Sequence, residues 1–123
     1  MGPTVLYEAL LAERVIALEP SWAYGTLCAS LGVNPDMLPK VTLFQAALDK
    51  SDGYQQLTIK GDSTDELPTS ASSSHKAKDS LLVRTLSIST LRALAPDLER
   101  VGFIKMDVEG YERVLLPVLK CFW

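Results

Sequence analysis

Short apolar runs alternate with polar turns along this chain, and their spacing predicts helices and strands in alternation. Residues 4–13 carry Leu6, Leu10 and Leu11 at helical intervals, with Thr4 in position to cap them. Val15, Ile16, Ala17 and Leu18 follow as a wholly apolar run too short for a helix. Pro20 ends that run by holding Glu19 extended. Ser21 is placed to cap a second helix over 22–31, with Gly32 closing it. Asn34, Pro35 and Asp36 form a turn, and 41–47 read as the next strand.

Beyond residue 49 the pattern changes. Residues 54–60 alternate weakly, as a strand with one wet face does, and 80–86 return as its antiparallel partner. Between them, 61–79 are dominated by Ser, Thr, Asp, Lys and Pro, a composition that predicts a mobile loop. A short helix is expected over 87–94, ending before Pro96. Val101 to Met106 then make a brief run rich in Val, Phe and Ile, which predicts a buried strand. Asp107, Glu109, Gly110 and Glu112 crowd in behind it, and an apolar helix interrupted by Pro117 follows. Helix, strand, helix, strand at this spacing predicts right-handed crossovers in a parallel sheet. Open sheets of this kind bind ligands at the carboxyl ends of their strands.

Composition narrows the function classes. With 123 residues, one domain is the upper bound. The formal charge of −3 and the scattering of the basic residues argue against phosphate-backbone binding, so no nucleic-acid partner is expected. The longest apolar run is broken by Pro117 and Lys120 and is too short for a bilayer. No signal-peptide pattern opens the chain, which makes a cytoplasmic location the default expectation. Cys28, Cys121 and His75 have no metal-ligand spacing. The two cysteines read as buried or semi-exposed thiols in a reducing compartment, and no metal is expected.

Four segments in order resemble one family. Val15-Ile16-Ala17-Leu18-Glu19-Pro20, then Ala46-Ala47 through Gly53, then Val83-Arg84-Thr85-Leu86, then Ile104-Lys105-Met106-Asp107-Val108-Glu109-Gly110-Tyr111-Glu112 are similar to the segments of FkbM-type methyltransferases. The resemblance covers nearly the whole chain. It implies an α/β fold, specifically a Rossmann-like class I methyltransferase sheet of parallel strands with an antiparallel hairpin insertion. It also implies S-adenosylmethionine as cofactor and methyl transfer, commonly to a hydroxyl oxygen of a small molecule or sugar. The family's first strand and glycine-rich turn have no counterpart here beyond Gly2, which matches that turn's last glycine, and the later strands have none. The chain therefore resembles a middle portion of the domain, expected to be weak or silent as an enzyme. A non-catalytic binding module that has lost the cofactor, or another nucleotide-binding α/β protein, would share these features.

Candidate chemistry follows from position. A carboxylate at Glu19, at the end of its strand, can accept both ribose hydroxyl protons, or it can be a solvated strand end. Ala47 and Leu48 lie near the adenine face in the family reading and are loop packing otherwise. Trp22 either covers the adenine or forms the buried face of its helix. Asp107 can hold the cofactor's amino group or take the acceptor hydroxyl's proton, and Glu109 can serve as a second carboxylate or cation ligand. Gly110 is expected to permit close backbone approach. The plainer account of Asp107, Glu109 and Glu112 is that acidic groups favour a helix start.

Overall fold

The computed structural model describes residues 2–58, 80–108 and 110–122. The expected loop over 61–79, with His75, and the candidate Glu109 lie outside the described residues. The fold is mixed α/β. Helix α1 (Gly2–Leu11) leads into strand β1 (Val15–Leu18), and helix α2 (Ala23–Gly32) leads by a 3₁₀ turn into β2 (Val41–Phe44). β1 and β2 pair in parallel with Val15 opposite Val41 and Leu18 opposite Phe44. Both strands are apolar throughout, save Thr42, because both faces are covered. Val15, Ala17, Val41 and Leu43 pack with Val5 and Ala9 of α1 and Leu27 of α2. Ile16, Leu18 and Phe44 face the other way, against Leu91 and its neighbours beyond the second sheet.

That second sheet has the order β3-β5-β4, from β3 (Ala47–Leu48), β4 (Gly53–Thr58) and β5 (Ser80–Leu86). β4 and β5 pair antiparallel with Gly53 opposite Thr85, as the alternating pattern over 54–60 and 80–86 predicts. β3 runs parallel to β5. Helix α3 (Ile88–Leu94) and a 3₁₀ segment, Pro96–Arg100, complete the layer that buries Ala46, Leu86 and Leu91. Arg92 of α3 lies over the Phe122 ring, 4.8 Å from its centroid. Its Nε is 3.4 Å from Glu99 Oε1, an ion pair not aligned as a hydrogen bond.

Several expectations are corrected. The strand expected over 41–47 bends at Gln45 and Ala46, so its last part joins a different sheet from its first. Among the described residues the ladders accordingly form two sheets rather than one. Residues 101–108 carry no strand, although Val101 is extended. Burial still alternates there, with Ile104, Met106 and Val108 half-buried and Phe103, Lys105 and Asp107 exposed. An apolar, alternating run makes an extended chain; only a ladder partner makes it a strand, and none is present among the described residues. Thr4 lies within α1 and caps nothing, because the helix begins at Gly2. Trp22 is 75% exposed, so it is not the buried face of its helix. Both cysteines are exposed. Pro117 does not stop α4 (Glu112–Leu119); it sits inside the helix, which buries Leu115 and Leu119.

Asp52 fastens the turn before β4 to the start of α3. Its Oδ1 accepts from the Ser87 N–H at 2.7 Å and its Oδ2 from the Thr90 hydroxyl at 2.6 Å. The Ser87 hydroxyl in turn accepts from the Thr90 N–H and caps the helix. The Ser87 amide, then the Thr90 hydroxyl, hold the Asp52 carboxyl below its usual range. Glu112 is also held low, chiefly by its own backbone N–H and that of Gly110 at the start of α4. A carboxylate with a depressed folded pKa contributes stability above its unfolded pKa and loses it as pH falls through the folded value. The melting temperature is therefore expected to drop below about pH 4. Asp52→Asn should flatten part of that drop in a pH series of thermal melts, and an unchanged slope would contradict this linkage.

Candidate functional site

The Glu19 backbone N–H donates to the Phe44 carbonyl at 3.0 Å, extending the β1–β2 pairing by one residue. This places Glu19 at the carboxyl end of β1, where it is 6% exposed. Its Oε1 accepts from the Ser21 N–H at 2.9 Å and the Ser21 hydroxyl at 2.6 Å. The Ser21 hydroxyl then accepts from the Ala23 N–H at the head of α2. Ser21 thus supplies the helix cap from one position before the N-cap residue Trp22, which makes no side-chain bond of its own. A carboxylate has about four lone-pair sites, two on each oxygen. Both on Oε1 are taken, and Oε2 makes no hydrogen bond among the described residues. A diol can therefore be held by Oε2 alone, while Oε1 keeps its Ser21 donors.

Ala47, in β3, is half-buried and stands opposite Thr85 of β5. Two residues later, the Asp49 N–H donates to the Leu86 carbonyl at 2.9 Å, and its carboxylate is buried at 7% exposure. Asp49 Oδ1 accepts from the Lys50 N–H at 2.7 Å and from the Tyr111 hydroxyl at 3.0 Å. Oδ2 accepts from the Gln55 amide. Tyr111 closes a turn, its N–H donating to the Val108 carbonyl at 3.1 Å, with Gly110 at φ 97°. Positive φ at the third position of such a turn is what glycine permits. Nothing lies within 4 Å of where a Cβ on Gly110 would stand, so this glycine serves the turn and not a close approach. Asp107, one residue before the turn, is exposed and makes no hydrogen bond among the described residues.

The segment from Phe44 to Asp49 is thus held at one end by Glu19 and at the other by the acidic turn. Its span is at most about 18 Å, from roughly 3.6 Å per residue over its length. Glu19, Ala47 and the turn that follows Asp107 are all tied to it. Gly2 is not: it opens α1, which packs on α2 and β1. Beside the segment lies an open cleft of about 360 Å³, lined by Phe44, Gln45, Ala46, Arg84, Leu86 and Leu94. Phe44, Gln45 and Arg84 were not sequence candidates, because their neighbourhood depends on the bend between the sheets. Asp49 was read only as a turn residue. Among the described residues, no three His, Cys, Asp or Glu side chains gather as a metal site. No helix among them is long and apolar enough to cross a membrane.

Compared with known protein families, residues 5–120 match the Methyltransferase FkbM domain. No curated protein and no solved structure gives a match.

Proposed function

This chain belongs to the FkbM methyltransferase family, and from that premise we propose that it uses S-adenosylmethionine to methylate a hydroxyl oxygen of a small molecule or sugar. The fold in this reading is a Rossmann-like class I sheet with the β4–β5 hairpin as its insertion. The observation that carries the reading is the double tether of residues 44–49, by Glu19 at one end and the Asp107 turn at the other. When bound, the cofactor supplies an electrophilic methyl on a sulfonium, so that a C–O bond forms as the C–S bond breaks.

The protein's part is placement and proton handling. Glu19 Oε2 holds the ribose diol, and Ala47 and Leu48 line the adenine side. Asp107 faces the reacting end. There it accepts the proton that leaves the acceptor hydroxyl, or holds the cofactor's ammonium. Glu109 would stand two residues further on as a second carboxylate. The exposure of Asp107 suits this role, since its carboxylate stands open to a ligand. Its plainer role, favouring the start of α4, belongs better to Glu112, which the backbone amides there hold ionised.

The test is methyl transfer followed by mass spectrometry, with the chain, S-adenosylmethionine and a panel of hydroxylated small molecules and sugars. Asp107→Asn is expected to cut the rate about 100- to 10,000-fold, the usual range for general-base loss. Wild-type turnover by Asp107→Asn would remove Asp107 from the chemistry.

A further inference from the structure

Asp49 is a buried carboxylate that the methyl-transfer reading leaves without a task. Its oxygens collect donors from three parts of the chain: the neighbouring Lys50 amide, Gln55 of β4, and Tyr111, 62 positions away. A buried carboxylate is costly unless it is hydrogen-bonded, and here three donors that the fold must bring together engage both of its oxygens. Asp107 stands in contrast. It is exposed, it precedes a turn that needs positive φ at Gly110, and its own segment has no ladder partner among the described residues. The phenol of Tyr111 ties that turn to the end of β3.

We propose that Asp49 is a positioning residue: by accepting the Tyr111 hydroxyl, it holds the turn over 108–111, and with it Asp107, against the rim formed by residues 44–49. The proposal rests on the methyl-transfer reading only for what Asp107 does once held there. The clasp also joins the acidic turn to the β4–β5 hairpin through Gln55, so that the two move as a unit.

The hydroxyl is the only group Tyr111→Phe removes, so that variant keeps the ring and the fold. Asp49→Asn is the conservative partner. Its Oδ1 still accepts from Lys50 and Tyr111, and the Gln55 amide can turn to accept from the new Nδ2–H. Hydrogen exchange read by mass spectrometry on the peptide spanning 105–115 reports the turn directly. Affinity for S-adenosylmethionine, measured in parallel, reports its consequence. Tyr111→Phe is expected to speed exchange of the Tyr111 and Leu115 amides about tenfold or more, as loss of a bond to a charged group implies. It should also weaken cofactor affinity severalfold, while Asp49→Asn stays near wild type in both.

Unchanged exchange in Tyr111→Phe overturns the clasp, whatever the cofactor does. Faster exchange with both affinity and methyl-transfer rate unchanged overturns the positioning role. A wild-type chain that binds no cofactor refutes the methyl-transfer reading and the positioning role together, and exchange alone then decides whether the clasp exists.

Discussion

Glu19→Gln is expected to weaken S-adenosylmethionine binding about a hundredfold and to leave the fold in place. The amide keeps an oxygen where Oε1 stands, so the Ser21 N–H and hydroxyl retain their acceptor. What changes is the free side of the group: Oε2, an acceptor, becomes an NH₂ that can only donate. Two ribose hydroxyls then face donors and lose charge-assisted bonds, each worth about 1.5–3 kcal/mol. Allowing for partial replacement by water, about 2.7 kcal/mol is lost, which is about a hundredfold in affinity. Glu19→Ala is a poorer probe because it also strips Ser21 of its acceptor and disturbs the head of α2. Calorimetric titration, with a thermal melt of the same sample, separates the two effects. Equal affinities for wild type and Glu19→Gln would end the ribose assignment.

The largest effect on stability is expected from Leu27→Ala. Leu27 is 1% exposed and packs with Val5, Ala9 and Val15, where α1, α2 and β1 meet. Truncating a buried leucine removes its transfer free energy and leaves a cavity, a cost of about 2–5 kcal/mol. Against a typical stability of about 5–15 kcal/mol, that is a large fraction of the whole. It also loosens the strand whose end presents Glu19. Val33→Ala is the matched control: at 79% exposure it should change stability by less than about 0.5 kcal/mol. Urea unfolding of the three proteins checks both, and equal midpoints for Leu27→Ala and wild type would mean that this core is not where the structure places it.

Much of the fold was legible in the chain's local pattern. β1, β2 and the helices α1 to α4 could be read because apolar spacing and capping act over a few residues. The β4–β5 hairpin could be read because its one wet face leaves an alternation. What failed depended on partners far away in sequence. Val101 to Met106 have the composition of a strand, but a strand exists only through its neighbour's backbone, which no local pattern reports. The break at Gln45 and Ala46 was invisible because a single polar residue in a mostly apolar run does not tell whether the run serves one sheet or two. Trp22 was misjudged because its helix starts after it, at Ala23, which leaves the ring in water.

The candidate site divides in the same way. Glu19 and Asp107 stood out through their places after apolar runs and through the family's segments. Asp49 did not, because its meaning lies in Tyr111, 62 positions on. Arg84 and Phe44 line a cleft that exists only once the bend brings β2 beside β5.

The central claim is that Glu19 and Asp107 serve opposite halves of one small molecule along the rim of residues 44–49. A crystal structure of the chain with S-adenosylhomocysteine, the demethylated product, tests it most directly. The expected density places the ribose hydroxyls about 2.5–2.7 Å from Glu19 Oε2 and the amino-acid half beside Asp107. A ligand bound elsewhere, or these two carboxylates on opposite edges of the fold, would contradict it.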